Sequence, residues 1–158
     1  MEESIPLHPA IVHFAIVLPI LVLIFQGLFL YTKELTYSKI SFVLAIVTAL
    51  FLIGAWYSGG ILQDAKGSIY PLLSEHGKEE LSEHANLGFI LAIAMSVLAI
   101  LKVLASKLQK QILEIVFLIG VVIFIGANLQ QGKDGGELVY EYGAGISTEA
   151  FDAYCEDE

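Results

Sequence analysis

Four histidines are the residues of this chain whose type and spacing could do chemistry: His8, His13, His76 and His84. Neutral imidazoles bind haem iron and bare transition-metal ions, and they exchange protons near neutral pH. His8 and His13 lie at the start of one long hydrophobic run, whereas His76 and His84 precede another. The elements that follow these histidines therefore decide whether the four can act together.

Four apolar runs predict membrane spans. They cover residues 10–31, 40–61, 86–104 and 112–129. At about 1.5 Å of rise per residue each run reaches roughly 27–33 Å, close to the ~30 Å hydrocarbon core of a bilayer. A hydrophobic fraction of 56% and a mean hydropathy of +0.74 agree with this assignment.

The predicted fold is an all-α integral membrane protein, an up-down-up-down four-helix transmembrane bundle. We expect helices over about 10–31, 40–61, 78–104 and 112–129, the third of which starts in the charged stretch before its apolar run. Because the spans alternate in direction, the first and third begin at the face where the second and fourth finish. All four histidines should then share one face of the membrane.

The lysines predict which face this is. Five of the eight, Lys33, Lys39, Lys102, Lys107 and Lys110, lie at the face opposite the histidines, which the positive-inside rule assigns to the cytoplasm. The acidic N-terminus does not resemble a signal peptide, so the first span is expected to remain attached. We predict a multi-pass protein of the bacterial inner membrane with both termini and all four histidines outside the cytoplasm.

The chain divides into a four-span bundle, residues 1–131, and an acidic tail, residues 132–158. Glycines between residues 132 and 143 and the alternation of Leu138, Tyr140 and Tyr142 indicate an irregular, extended segment. This Gly-rich segment should fold across the outer face and shield the site from water. Cys155 has no second cysteine in the chain to pair with, and the sequence leaves its role open.

The leading functional hypothesis is a b-type haem near the periplasmic face, used for electron transfer. Haem in a helical bundle requires imidazoles from two helices at similar depth. His13 and His84 meet this requirement if the first and third helices lie diagonally across the core, and Gly88 would leave room for the macrocycle. His8 would support His13 or bind a second cofactor. An ionisable side chain inside a span is costly unless it is paired, which favours a functional role for His13.

Two other hypotheses remain open. A divalent transition metal could bind to His8, His13, Asp64 and His84, since imidazole and carboxylate ligands suit such ions. Alternatively, the chain is a cofactor-free scaffold subunit of a membrane complex. His76 lies in a charged stretch and is interpreted as solvated.

Several function classes find no support in the sequence. It contains no CxxCH motif for c-type haem, no phosphate-binding loop and no serine in a nucleophile motif. Nucleic-acid binding is disfavoured by a net charge of −9. Whether the protein is an enzyme stays open, with an electron-transfer or binding protein favoured over a hydrolase or transferase. A homodimer is compatible with so small a bundle, although nothing in the sequence fixes it.

Four sequence motifs together resemble a family of bacterial four-span membrane proteins, domain of unknown function 2231. They are LHPAIVHFAIVLP (7–19), Asp64 after the second span, EHANLG (83–88) and GGELVYEYGAG (135–145). The family pattern Leu-His-Pro-x-x-Val-His-Phe-Pro is met except that Ala15 replaces the last proline. The resemblance singles out His8, His13, Asp64 and His84. Because family members are often fused to Rieske or cytochrome c domains, it implies a separate redox partner of that kind for this chain.

Overall fold

Residues 7–64 and 70–144 form four long helices and one short helical turn. The computed structural model describes residues 7–64 and 70–144, apart from the side chains of residues 62 and 64. The helices are α1 (Leu7–Thr32), α2 (Leu35–Asp64), α3 (Glu75–Leu108) and α4 (Gln111–Tyr140), with a 3₁₀ turn at Tyr70–Leu72. Each of the four is long and apolar enough to cross a membrane.

The helices form the expected up-down-up-down bundle. α1 packs on α2, α2 on α3, α3 on α4 and α4 back on α1, so α1 and α3 lie on one diagonal. We call the end where α1 and α3 begin the histidine end, and the opposite end, which contains Lys102 and Glu114, the lysine end. The predicted fold class, an all-α membrane bundle, is confirmed.

The interior of the bundle combines alanines and polar side chains with larger apolar ones such as Phe117 and Met95, and the outer surface is largely apolar. Buried alanines let the helices approach closely; they include Ala15, Ala45, Ala49, Ala92 and Ala99. The outer surface carries leucine, isoleucine, valine and phenylalanine along all four helices. Such a surface suits contact with lipid, where polar groups must find their partners within the protein.

The connections at the lysine end are tight turns. Lys33 and Gln109 both adopt left-handed backbone conformations, with φ of 62° and 51°. Thr32 supports the first turn, because its Oγ1 accepts a hydrogen bond from the Glu34 backbone N–H at 3.2 Å. These turns leave neighbouring helices antiparallel and in contact.

The fourth helix is longer than the sequence predicted. α4 continues to Tyr140, so the expectation of an extended segment from residue 132 is wrong over residues 132–140. Glycines at 132 and 135 weaken a helix on propensity alone, but here they pack closely against α1 and α3. Gly143, with φ of 69°, then turns the chain so that the Ala144 N–H donates to Leu138 O. The predicted tail beyond residue 144, with Cys155, lies outside the described residues.

Candidate functional site

His8 lies in the first turn of α1 and points towards α2. Its Nδ1 is 3.0 Å from Ser58 Oγ, whose own hydroxyl donates to Ala55 O at 3.0 Å. With the serine proton directed to Ala55 O, the tautomer that fits has the hydrogen on His8 Nδ1, which then donates to Ser58 Oγ. His8 Nε2 therefore keeps its lone pair. Gly59 makes room for the ring, because a Cβ there would lie 3.1 Å from His8 Cε1.

His84 lies in α3 and is held by α4. The Gln131 amide contacts it twice, with Nε2 donating to His84 O at 2.9 Å and lying 3.1 Å from His84 Nε2. Gly135 lies against the ring, since a Cβ at this position would be 3.0 Å from His84 Cε1. The motif beginning at Gly135 thus serves to seat His84 against α4.

Two buried polar atoms at this position have no hydrogen-bond partner among the described residues. They are His84 Nδ1 and Gln131 Oε1. An unsatisfied polar atom inside a membrane protein is costly and calls for an explanation. A bound ligand that contacts the imidazole nitrogen would supply one.

His8 and His84 belong to the same layer of the bundle. Asn128 and Gly132 of α4 lie level with Ala15 and Ile16 of α1, and both helices continue from there towards the histidine end. His8 lies about two turns before Ala15 in α1. Gln131 and Gly135, which contact His84, lie one to two turns after Asn128 in α4. The electrostatic influence of His8 and of the Asp134 carboxylate reaches His84.

His13 does not take part in this layer. Its ring is exposed on the outer surface of the bundle, and its Nδ1 donates to Pro9 O at 2.5 Å. The structure therefore corrects the expectation that His13 and His84 face each other across the core. The physical reason is helical periodicity. His8 lies two turns before the buried Ala15, whereas His13 is only two residues from Ala15 and on nearly the opposite face.

The residues around His84 do not fit the predicted haem site. Gly88 was expected to leave room for a macrocycle, but the Gln131 amide fills that space, 3.2 Å from where a Gly88 Cβ would be. Two clefts of about 300 and 240 Å³ lie on the lipid-facing surface, and no histidine lines either. His13 and His84 therefore do not face one another across the core, and the space beside Gly88 holds the Gln131 amide.

The predicted metal set is assembled only in part. Among residues 7–64 and 70–144, no group of three or more histidine, cysteine, aspartate or glutamate side chains is placed to hold a metal. His8 and His84 share one layer, His13 lies outside it, and the Asp64 side chain is not described. The structure thus supplies a pair of imidazoles.

His76 lies beside the pair and is exposed to solvent, as its charged surroundings indicated. Its ring is 3.8 Å from a Glu79 oxygen and packs edge-on against Tyr142, at 5.8 Å between centroids. Tyr142 also covers Gly77, so the end of α4 rests on the first turn of α3. Partial burial, reinforced by the Glu80 and Glu141 carboxylates, raises the pKa of the Tyr142 phenol.

The lysine end contains a charged network that sequence reasoning missed. Lys102 is fully buried and its Nζ lies 2.6 Å from Glu114 Oε2, and Glu114 is only 5% exposed. The ammonium also donates to Ser38 Oγ at 3.0 Å and lies over the Phe29 ring, 5.0 Å from its centroid. In the sequence, Lys102 indicates only the orientation in the membrane, because its partners lie on other helices.

The network closes into a ring that crosses every helix interface. Gln26 of α1 donates to Glu114 Oε2 of α4 at 2.8 Å, and Ser41 of α2 donates to Gln26 Oε1 at 3.0 Å. The contacts of Lys102 with Ser38 and Glu114 join α3 to α2 and α4. Because the lysine and glutamate neutralise one another and the serine and glutamine groups complete their hydrogen bonds, this polar cluster is satisfied internally.

A four-span membrane bundle with a histidine pair at one end and an ion pair at the other is the class of protein that these observations define. Within that class, the chain belongs to the family described as predicted membrane protein (DUF2231), whose model matches residues 4–148. The resemblance noted in the sequence motifs is thereby confirmed. No curated protein and no solved structure matches this chain.

Proposed function

We propose that the histidine end binds a divalent transition-metal ion, with His8 and His84 as its imidazole ligands. The observation that carries this proposal is the pairing of His8, whose Nε2 keeps its lone pair, with His84, whose buried Nδ1 has no partner among the described residues. Metals coordinate neutral imidazole through such a lone pair. The protein would serve in metal binding or delivery, and no step of catalysis is assigned to it.

Both histidines have a neighbour suited to hold a ligand ring in place. Metal-bound histidine usually donates its second N–H to an oxygen acceptor. Ser58 Oγ already accepts from His8 Nδ1. At His84, the Gln131 amide donates to both the backbone oxygen and Nε2, which places the ring hydrogen on Nδ1. Metal binding through Nδ1 therefore requires the Gln131 amide to move and the hydrogen to shift to Nε2.

Two imidazoles leave further coordination positions for water or carboxylate. Imidazole ligands suit zinc, copper, nickel or iron, and Asp134, whose charge acts on His84, does not form a three-residue ligand group with the two histidines. The proposal does not assign a role to His13, which lies on the lipid-facing surface.

Haem b is the second candidate, now with His8 in place of His13 as an axial ligand. Its support is that His8 and His84 come from α1 and α3, the diagonal helices that can present two axial ligands to one iron. The Gln131 amide would have to leave its present position to admit the macrocycle. In this reading the protein transfers electrons to a separate partner, such as a Rieske or cytochrome c protein.

Metal analysis with matched histidine variants tests the proposal. Protein purified in detergent is loaded with Co²⁺ or Zn²⁺, and bound metal is measured by elemental analysis and by the cobalt absorption spectrum. We expect one ion per chain, lost in His8→Ala and in His84→Ala and retained in His13→Ala. A variant series in which His13→Ala loses the ion as completely as His84→Ala overturns the assignment.

The absorption spectrum separates the alternatives. A Soret band from protein expressed with sufficient haem, lost in His8→Ala and in His84→Ala, overturns the bare-ion proposal in favour of haem. Neither metal nor haem in the purified protein overturns both and favours a cofactor-free scaffold subunit.

The site is further proposed to face the periplasm of a bacterial inner membrane, with both termini on that side. The lysine distribution supports this orientation. Cys155, the one cysteine of the chain, is a natural probe of it. A membrane-impermeant maleimide should label Cys155 in intact spheroplasts and not label a Cys155→Ser control. Labelling that requires lysis of the cells contradicts the orientation.

A further inference from the structure

Pro19 interrupts the hydrogen bonding of α1 inside the bundle. Proline has no backbone N–H, so the carbonyl four residues earlier in a helix loses its usual donor. In α1 that carbonyl belongs to Ala15, which is 3% exposed. A carbonyl buried at this depth of a membrane protein needs another donor.

Asn128 of α4 supplies the missing donor. Its Nδ2 lies 3.2 Å from Ala15 O, and the asparagine is only 4% exposed. One turn further along α4, a Cβ added to Gly132 would lie 3.4 Å from Ile16 Cδ1, so the two helices approach closely here. The proline and the asparagine therefore form one structural unit, although they belong to different helices.

This unit decides where the first two to three turns of α1 point. Proline bends a helix because its ring crowds the same carbonyl that it leaves without a donor. Residues 7–18 precede Pro19 in α1 and carry His8, whereas His84 is held by Gln131 and Gly135 of α4. The hydrogen bond from Asn128 of α4 to Ala15 O of α1, which we call the α1–α4 tie, therefore holds the segment that carries His8 against the helix that contacts His84.

We infer that Asn128 is a positioning residue for the metal site, acting through Ala15 O to keep His8 within reach of the ion bound at His84. Asn128 contacts neither histidine. The inference rests on the proposed metal site for its functional part, but the tie itself can be measured without any metal.

A pair of substitutions isolates the tie from general packing. Pro19→Ala restores an N–H that can reach Ala15 O within α1, so Asn128 becomes dispensable in that background. Asn128→Leu keeps a side chain of similar size and removes the donor. We expect Asn128→Leu to destabilise the natural chain clearly and the Pro19→Ala chain much less, as measured by reversible unfolding in mixed micelles. Additive effects of the two substitutions overturn the tie.

Two further measurements address position and function. Spin labels on the exposed residues Ala10 and Ser82, in a Cys155→Ser background, report the separation of α1 from α3. Asn128→Leu should lengthen the mean distance between the labels and broaden its distribution, and the addition of Pro19→Ala should restore both. Cobalt affinity should fall by roughly tenfold in Asn128→Leu, as expected when a group that orients ligands is lost, and recover in the double variant.

The outcomes separate the two proposals. If the natural chain binds no metal, the proposed function fails while the unfolding and spin-label data still decide whether the tie exists. If the distance changes but cobalt affinity does not, the positioning role is overturned. If affinity falls without a change in distance, Asn128 acts by another route and the inference is equally overturned.

Discussion

The two ends of the bundle treat buried polar groups in opposite ways. At the lysine end Lys102, Glu114, Gln26 and the two serines satisfy each other in a ring that spans all four helices. At the histidine end two buried atoms, His84 Nδ1 and Gln131 Oε1, lack partners among the described residues. Both clusters contain groups buried inside the bundle, where polar atoms must find their partners within the protein.

The difference indicates different roles. A polar cluster that is complete without a ligand contributes to the arrangement of the helices, which buried polar networks can specify. A cluster that is incomplete points to something that binds there. A charged residue in a span is often taken as functional, but here the ion pair is satisfied internally, and the proposed metal site lies with the imidazoles at the opposite end.

Removal of one charge at the lysine end should have the largest effect on stability. Lys102→Met leaves the Glu114 carboxylate buried without a counter-ion, and the expected loss is about 3–5 kcal/mol of unfolding free energy. Lys102→Met combined with Glu114→Leu should lose less, since no unpaired charge remains. Thermal or denaturant unfolding in mixed micelles measures both.

That same pair of variants tests the division of roles. Folded Lys102→Met/Glu114→Leu protein should bind cobalt as the natural chain does. A double variant less stable than Lys102→Met alone would contradict the view that the network is a closed, self-compensating ring.

Two adjacent glycines at the histidine end provide a matched test of packing. Gly135→Ala forces a Cβ to 3.0 Å from the His84 ring and should destabilise the protein by about 1–3 kcal/mol, as overpacking does. Gly136→Ala meets no atom within 4 Å and should be neutral or stabilise by up to ~1 kcal/mol through helix propensity.

Unfolding measurements compare the two glycine variants, and metal binding adds a second readout. Gly135→Ala should also weaken cobalt binding by displacing the His84 ring, while Gly136→Ala should not. Equal effects of both substitutions would argue against His84 being seated by Gly135.

Ser58→Ala should separate ligand orientation from stability. The substitution removes the oxygen that accepts from His8 Nδ1, and loss of such a partner typically weakens metal binding about 10- to 100-fold. The expected change in unfolding free energy is only about 0.5–1.5 kcal/mol, the net contribution of one hydrogen bond. Cobalt titration of Ser58→Ala and of Ser58→Thr, which keeps the hydroxyl, checks this. Weakening of equal size in both variants would count against the hydrogen bond.

The smallest effect is expected at the edge of the histidine end. Since burial and neighbouring carboxylates raise the pKa of Tyr142, the folded protein holds this phenolic proton more tightly than the unfolded chain. The resulting stabilisation is present at neutral pH and is lost as the pH rises through the folded pKa. The ultraviolet titration curve of the natural chain, after subtraction of the curve of Tyr142→Phe, should show ionisation at a higher pH than for free tyrosine. Ionisation of Tyr142 at the pH of free tyrosine would contradict this prediction.

The sequence predicted much of this fold because a bilayer imposes simple rules. Four apolar runs of span length gave the helices and their alternation, and the histidines were correctly grouped at one end of the bundle. The residues at which the helices end were harder to predict from the sequence. α4 runs on through Gly132 and Gly135 because these glycines pack against other helices, a tertiary gain that local propensity does not contain.

The choice among the histidines could have been made from the sequence. The buried positions of α1 are Ala15, Pro19, Val22 and Gln26, and His8 continues this stripe two turns earlier. The same spacing in α4 connects Glu114, Asn128, Gln131 and Gly135. Choosing residues by whether they lie on the inward-facing stripe, and not only by their depth in the membrane, would have favoured His8 over His13. The same criterion would have found the polar residues of the lysine end.

By itself the sequence determined the four spans, their alternating direction and the end at which each histidine lies, because span length and hydrophobicity are local properties. The tertiary structure alone decided which polar groups meet. Lys102 finds Glu114, Asn128 finds the carbonyl that Pro19 leaves free, and Gln131 and Gly135 seat His84. These partners lie on different helices, and only the packing of the bundle, where every buried polar group needs a neighbour, brings them within hydrogen-bond distance.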